Sequence, residues 1–295
     1  MHRPQQRTSP GRAATYILLG FWSLICAFPL YWLALASIRP VEDLAGPPHY
    51  LPFFDFAPSL AAWRFILADP AETLLPSFFN SLLIGSGATA LSLLAVAFAL
   101  YGGTRVPPAS GNRRFASRVP LARLMLAVRV VPPVVIALPV YVIAAGIGIL
   151  DTRSLMIGLY AAINLPVAFW LLAPVFGQRP TEQEEAALLD GASHPGILFS
   201  VLLPMILRPV AVTGLLLFIL CWNEYLFAAY LTFDHAGTLT PWMVGQLSMK
   251  EAQAGGEAEE LSHMAAAAVF MAVPALLLAA AVQRFIGRSI AALQR

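Results

Sequence analysis

The chain has 295 residues, 59% of them hydrophobic and only 12% charged, with a net charge of +2. Soluble domains carry about 25% charged residues, so the apolar excess must face something other than water. A small positive charge with no basic stripe gives no footprint for nucleic acid.

The N-terminus, Met1 to Arg12, is polar and basic, and an apolar run over about 14–38 follows it. That run is too long for the core of a signal peptide and lacks a small-residue cleavage site at its end. It reads as a retained first span. Five further stretches reach the ~20 apolar residues that a membrane-spanning helix needs. They are 78–102, 121–147, 154–177, 207–232 and 264–286. No strand-like alternation supports a barrel, and only helices satisfy the backbone within lipid otherwise. The expectation is an all-α polytopic membrane protein with six spans: a tail over 1–13, a transmembrane domain over 14–288 and a tail over 289–295. Cys26 and Cys221 both lie in apolar runs and read as small buried residues.

Between the first two spans, 39–77 carries Pro47, Pro48, Pro52 and Pro58 with aromatic residues between them. A short amphipathic piece fits around Leu60–Leu67. Prolines 132, 133 and 139 interrupt the third span and imply a kink. Basic residues set the orientation. Arg3, Arg7 and Arg12, then Arg105, Arg113, Arg114, Arg118 and Arg123, then Arg179 and Arg208, and finally Arg284, Arg288 and Arg295 fall on one face. The other face has only Arg39, Arg64, Arg153 and Lys250, together with most of the acids. Both termini are therefore expected in the cytoplasm.

The segment between the fourth and fifth spans starts at Pro180. Thr181 and Glu184 have capping-box spacing, and Glu182, Glu184 and Glu185 complement a helix dipole. Gly191 supplies a C-terminal stop, Ser193 a second cap with Pro195 in the following turn, and Pro204 an interruption. Two short helices meeting at Gly191 are expected. On spacing alone this is equally a plain surface helix–turn–helix.

The same segment resembles the EAA motif of ABC importer permeases. Glu185-Ala186-Ala187 is followed by three residues, Gly191, nine residues and Val201-Leu202-Leu203-Pro204, with Val201 the one departure. Phe79-Asn80-Ser81, Arg129-Val-Val-Pro-Pro, Gly148-Ile-Leu-Asp151-Thr152, Asn164-Leu-Pro166 and Trp222-Asn223-Glu224-Tyr225 are similar to the smaller, six-span permease of the maltose-type pair. The tail, Ser289 to Arg295, departs from the Gly-rich, Lys-ending form. The resemblance implies a cytoplasmic coupling helix that docks on an ATPase, with Glu185, Ala186, Ala187, Asp190, Gly191 and Pro204 as coupling residues. It implies a second permease subunit, an ATPase dimer holding ATP and Mg, an extracytoplasmic solute-binding protein and a carbohydrate-type solute. This chain would itself bind no cofactor and would sit in a bacterial inner membrane.

Arg129, Asn223 and Glu224 lie inside apolar spans, where charge is costly and faces a cavity or a partner. Asn223 and Glu224 are candidates for the solute path. Arg129 lies about 12 Å into its span and either lines the path or snorkels to the interface. A structural hydrogen bond between helices remains the alternative for each. No phosphate loop, HExxH or nucleophile–base pair is present, so catalysis is not expected of this chain. A self-sufficient secondary transporter is the rival reading. It would need further intramembrane acids and an internal repeat, and only Glu224 stands out.

Overall fold

The computed structural model describes residues 10–44, 49–68, 74–103, 131–178, 182–245 and 257–293, and these are helices and turns. The longer helices are α1 (Pro10–Ala36), α2 (Val41–Leu44), α3 (Ala61–Ala68), α4 (Leu75–Gly103), α5 (Pro133–Gly146) and α6 (Arg153–Gly177). They continue with α7 (Glu182–Leu189), α8 (His194–Met205), α9 (Leu207–Trp222), α10 (Leu226–Leu231) and α11 (Glu257–Leu293). The chain divides into two units, 1–70 with 246–272 and 71–245 with 273–295.

In the first unit, α1 exposes apolar side chains from Tyr16 to Leu30, as a helix solvated by lipid would. Cys26 is among the exposed residues, so the expectation of two buried cysteines holds only for Cys221. The helix ends at Ala36, two residues before the apolar run does. Its last turn tightens, with Ile38 N–H bonding Leu35 O at 3.2 Å, and Pro40 cannot continue it. Arg39 is buried beyond this end, and its guanidinium donates to Asp43 O. Ala62 and Ile66 form the buried stripe of α3 while Arg64 points out, so the amphipathic piece expected near 60–67 is present.

Helix α11 begins at Glu257, not at the apolar edge near 264. Glu257, Glu259 and Glu260 occupy its first turn, where acids favour a helix start that hydropathy does not see. His263 is buried and stacks on Phe65 with ring centroids 3.8 Å apart.

In the second unit, α4 packs along α6, and α9 packs on both. Small residues permit the close approach: a Cβ on Gly85 would meet the Phe218 ring at 3.2 Å. Ser92 Oγ donates to Ala161 O at 3.0 Å and ties α4 to α6. One apolar cluster joins Val96, Leu100, Phe176 and Leu217 to Ile197, Leu198 and Leu202. Another joins Ile84, Ala88 and Met156 to Phe227 and Leu231.

Among the described residues, four helical stretches are long and apolar enough to cross a membrane: Ala14–Ala36, Leu75–Gly103, Arg153–Gly177 and Leu261–Gly287. The 14 residues of α5 fall short of that length. The expected third span starts at 121, and 121–130 lies outside the described residues. The expected fifth span, 207–232, is not one helix. It breaks after Trp222 and resumes at Leu226.

Candidate functional site

Three features of the second unit carry polar chemistry. The first is the α7–α8 segment. Glu182, Glu184 and Glu185 fall in the first turn of α7; Thr181, the expected capping partner, lies outside the described residues. Glu184 is buried, whereas Glu185 and Ala186 are exposed and Ala187 packs against the apolar cluster. At the C-terminus, Gly191 adopts φ +82°. Its N–H bonds Leu188 O, and Ala192 N–H bonds Ala187 O, both at 3.0 Å. This paired 5→2 and 6→1 pattern closes a helix and needs a left-handed residue where Gly191 stands.

Ser193 Oγ then accepts from Gly196 N–H at 3.3 Å, with Pro195 next in the turn. Helix α8 widens to i→i+5 bonding over Ile197–Leu202, ahead of Pro204, which has no N–H to give. It meets α9 at an angle of 86°. Ile197, Leu198 and Leu202 seat the segment on α4 and α6. Tyr101 Oη and His194 Nδ1 lie 3.3 Å apart there. Glu185, Asp190 and Gly191 face outward beside Leu189, which is 90% exposed.

The second feature is the break between α9 and α10. Asn223 is exposed, and its Nδ2 donates to Ile219 O at 2.9 Å, closing the end of α9. Glu224 is half-buried. Its Oε1 accepts from Phe227 N–H at 2.9 Å, and its Oε2 accepts from Ala228 N–H at 3.2 Å and Tyr160 Oη at 2.6 Å. The carboxylate thus takes up free amides at the start of α10, which a helix N-terminus inside a membrane cannot leave bare. Beside it, Asn164 Nδ2 donates to Cys221 Sγ at 3.1 Å. Trp222 is buried and stacks on Phe218 with centroids 5.5 Å apart, so it is a packing residue.

The third feature is a clamp at the far end of α10. Asp151 Oδ1 accepts from the N–H groups of Phe233 and Ala236 at 2.9 and 3.0 Å. Its Oδ2 accepts from those of Asp234 and His235 at 3.0 and 2.9 Å. Asp151 N–H in turn bonds Leu231 O at 3.1 Å. Asn80 Nδ2 donates to His235 O and Gly237 O at 3.0 and 2.9 Å, and Asn80 Oδ1 accepts from Arg153 Nε at 2.8 Å. Ser81 Oγ accepts from Leu239 N–H at 2.8 Å. Burial pushes the Asp151 carboxyl upward, but the four amides together outweigh it and hold the carboxyl below the usual range.

Residues 108–292 match the family described as the binding-protein-dependent transport system inner membrane component. The chain belongs to this family. It is a transport permease, and several of its apolar helices are long enough to span the membrane. The permease is 27% identical over 270 residues to the probable ABC transporter permease protein y4oR of Sinorhizobium fredii, covering 90% of each chain. It is 27% identical over 264 residues to the trehalose/maltose transport system permease protein MalG of Thermococcus litoralis, covering 90% of this chain and 89% of that one. It is 28% identical over 283 residues to the diacetylchitobiose uptake system permease protein NgcG of Streptomyces coelicolor, covering 94% and 87%. In fold it matches a crystal structure of a bacterial ABC transporter involved in import of the acidic polysaccharide alginate. The TM-score is 0.71 at 19% identity, covering 97% of the permease and 99% of that chain.

Within the permease, Glu185, Ala186, Asp190 and Gly191 are each exposed, and Ala187 packs partly against the apolar cluster. Pro204 lies in the last turn of α8, just before the elbow. Asn223 and Glu224 meet at the break but in different surroundings, one exposed and one hydrogen-bonded inward. Arg129 lies outside the described residues. Sequence reasoning missed Tyr160 and the Asp151 clamp. The Asn80-Ser81 and Gly148-to-Thr152 motifs were visible, but nothing in their spacing joined them to 233–239.

Proposed function

We propose that this permease is one of two paired subunits that move a carbohydrate-type solute inward, as the smaller six-span subunit of the maltose-type class. The names of the trehalose/maltose and diacetylchitobiose relatives support the solute class. A solved complex of similar fold contains an alginate pentasaccharide-bound periplasmic protein, which suits an external binding protein as a partner. ATP and Mg belong to an ATPase dimer on the cytoplasmic face of a bacterial inner membrane, and both termini lie on that face.

The observation that carries this reading is the continuity of one path. The exposed turn at Gly191 rests on α4 and α6, runs into α8, bends by 86° and becomes α9, which ends at Asn223. A push on Glu185, Ala186, Ala187, Asp190 and Gly191 therefore reaches the break through Pro204 and a rigid helix. Asn223, exposed at that break, lines the translocation path, with Glu224 beneath it. Arg129 is assigned to the same path from its sequence position alone.

Affinity purification of the tagged full-length chain from native membranes tests the assignment. It should recover a second permease and an ATPase subunit, with ATP hydrolysis stimulated by the external binding protein. Recovery of the chain alone, with uptake driven by an ion gradient in ATP-free vesicles, would establish the self-sufficient transporter instead.

A further inference from the structure

A turn in the first unit has no part in the pathway above. After α1 and α2 the chain folds back at Tyr50–Phe56. Asp55 Oδ2 accepts from the N–H groups of Tyr50 and Leu51, both at 2.9 Å. Asp55 N–H bonds Leu51 O at 2.9 Å, and Phe53 N–H bonds Phe56 O at 2.9 Å. These bonds hold the Asp55 carboxyl below its ordinary range. The turn is built at a cost, because Phe53 sits at φ +70°, a conformation a bulky side chain rarely takes.

Phe56 is the buried foot of this turn, while Phe53 and Phe54 stand 83% and 88% exposed at its tip. The tip, Tyr50-Leu51-Pro52-Phe53-Phe54, contains no charge. The Asp55 carboxylate that follows it is turned onto the turn's own amides. A strained, hydrogen-bonded scaffold thus presents two adjacent phenyl rings outward.

The location says what they meet. Tyr31 Oη donates to Tyr50 O, and the Trp32 and Tyr50 rings lie 5.6 Å apart. Trp32 also stacks with Phe28, one of the exposed residues of α1, at 6.4 Å. Ser59 N–H bonds Ile38 O at 2.7 Å and fixes the far side of the turn to the same helix end. Trp32 lies four residues, about 6 Å, inside the end of the apolar helix. The turn is therefore pinned at the height where a lipid-facing helix leaves the hydrocarbon. Aromatic side chains concentrate at that depth because their rings suit the headgroup boundary.

We infer that the Asp55-organised turn is a membrane-interface anchor, inserting Phe53 and Phe54 among the lipid headgroups and upper acyl chains at the end of α1. Its apolar surface is continuous through Tyr50 and Trp32 with the lipid-facing side of α1. The anchor would fix the depth of the first span through inserted side chains that carry no charge.

Phe54→Trp, in the full chain with the subunits that purify with it, reads the depth directly. The protein is placed in phosphatidylcholine/phosphatidylglycerol vesicles, with or without lipid brominated near the carbonyls, and wild-type emission is subtracted. The added emission should be blue-shifted from that of indole in water, lose most of its intensity in brominated lipid and resist aqueous iodide. Adding Asp55→Ala should shift it red and open it to iodide. Emission like that of free indole, quenched by iodide and blind to brominated lipid, would overturn the anchor. Protection from both quenchers would also overturn it, since the ring would then lie against protein. An Asp55→Ala variant with unchanged emission would show that this turn is not what presents the rings.

Discussion

Two acidic side chains bound the six residues of α10. Asp151 holds the outer turn through four backbone amides. Its φ of +57° suits Asn as well as Asp, so Asp151→Asn changes the acceptor set without new backbone strain. An amide offers one oxygen in place of two and turns its NH₂ towards donors. Most of these bonds are exposed, so each one lost costs no more than about 0.5–1.5 kcal/mol, and the variant should melt slightly below wild type at neutral pH. The native Asp151 carboxyl lies below its ordinary value of 3.8, so its contribution is present above that value and is lost as pH falls through the lowered native one. Thermal scans across that range should show the gap between wild type and Asp151→Asn closing on acidification. A gap constant with pH would mean that the charge contributes nothing. Glu224 differs because its three donors include the Tyr160 hydroxyl as well as two amides of α10. Glu224→Gln must face at least one N–H with its own NH₂, whereas Tyr160→Phe removes a single bond. Binding-protein-stimulated ATP hydrolysis in the assembled transporter should therefore fall further in Glu224→Gln than in Tyr160→Phe. Equal effects would show that the phenol, not the cap on α10, is what matters.

The α7–α8 segment was legible because its chemistry is local. Gly191 as a stop, Ser193 as a cap and Pro204 as a breaker are each set by neighbours within a few residues, and each appears where its spacing put it. The break at Asn223–Tyr225 was not legible as a break, since the apolar runs on both sides of Asn223 and Glu224 read as one span. What ties the break to α6 is a tertiary bond, from Tyr160 to Glu224, across 64 positions of sequence. The Asp151 clamp is hidden for the same reason, with partners 82–85 positions away. For α7, substitution separates docking from folding. No atom lies within 4 Å of a Cβ placed at Gly191, so Gly191→Val meets only the penalty of positive φ within the chain, about 1–2 kcal/mol. It should insert normally yet release the ATPase or uncouple its hydrolysis. Leu189→Ala leaves internal packing untouched because the side chain is 90% exposed. If the leucine is buried in the complex it contributes about 1.5–3 kcal/mol, so ATPase affinity should drop about tenfold to a hundredfold with the melting temperature of the permease unchanged. Glu185→Ala should cost less, at no more than about 1 kcal/mol for a surface charge contact. Normal uptake with the ATPase retained in both Gly191→Val and Leu189→Ala would remove the coupling assignment.

Membrane topology follows from which ends of the helices are tied together. Asn80, near the start of α4, and Asp151, just before α6, both bond the turn after α10, so these three points share one end of the second unit. Tyr101, near the other end of α4, meets His194 at the start of α8. Each of α4 and α6 therefore runs from the clamp end to the coupling end, and the chain must return between them. The candidate for that return is the expected span 121–147. Its described part, α5, is about 21 Å long at the helical rise, against about 30 Å of hydrocarbon. The excess of arginine between 105 and 123, against Arg153 alone before α6, predicts the same parity by the positive-inside rule. Ala57 and Asp190, both exposed, test it. Three crossings separate them if 121–147 spans the bilayer, and two if it does not. In a background lacking Cys26 and Cys221, Ala57→Cys should react with an impermeant thiol reagent on intact cells. Asp190→Cys should react only after permeabilisation. Reaction of both from the same side would make 121–147 a re-entrant or surface segment and would contradict the shared end that Asn80 and Asp151 give α4 and α6.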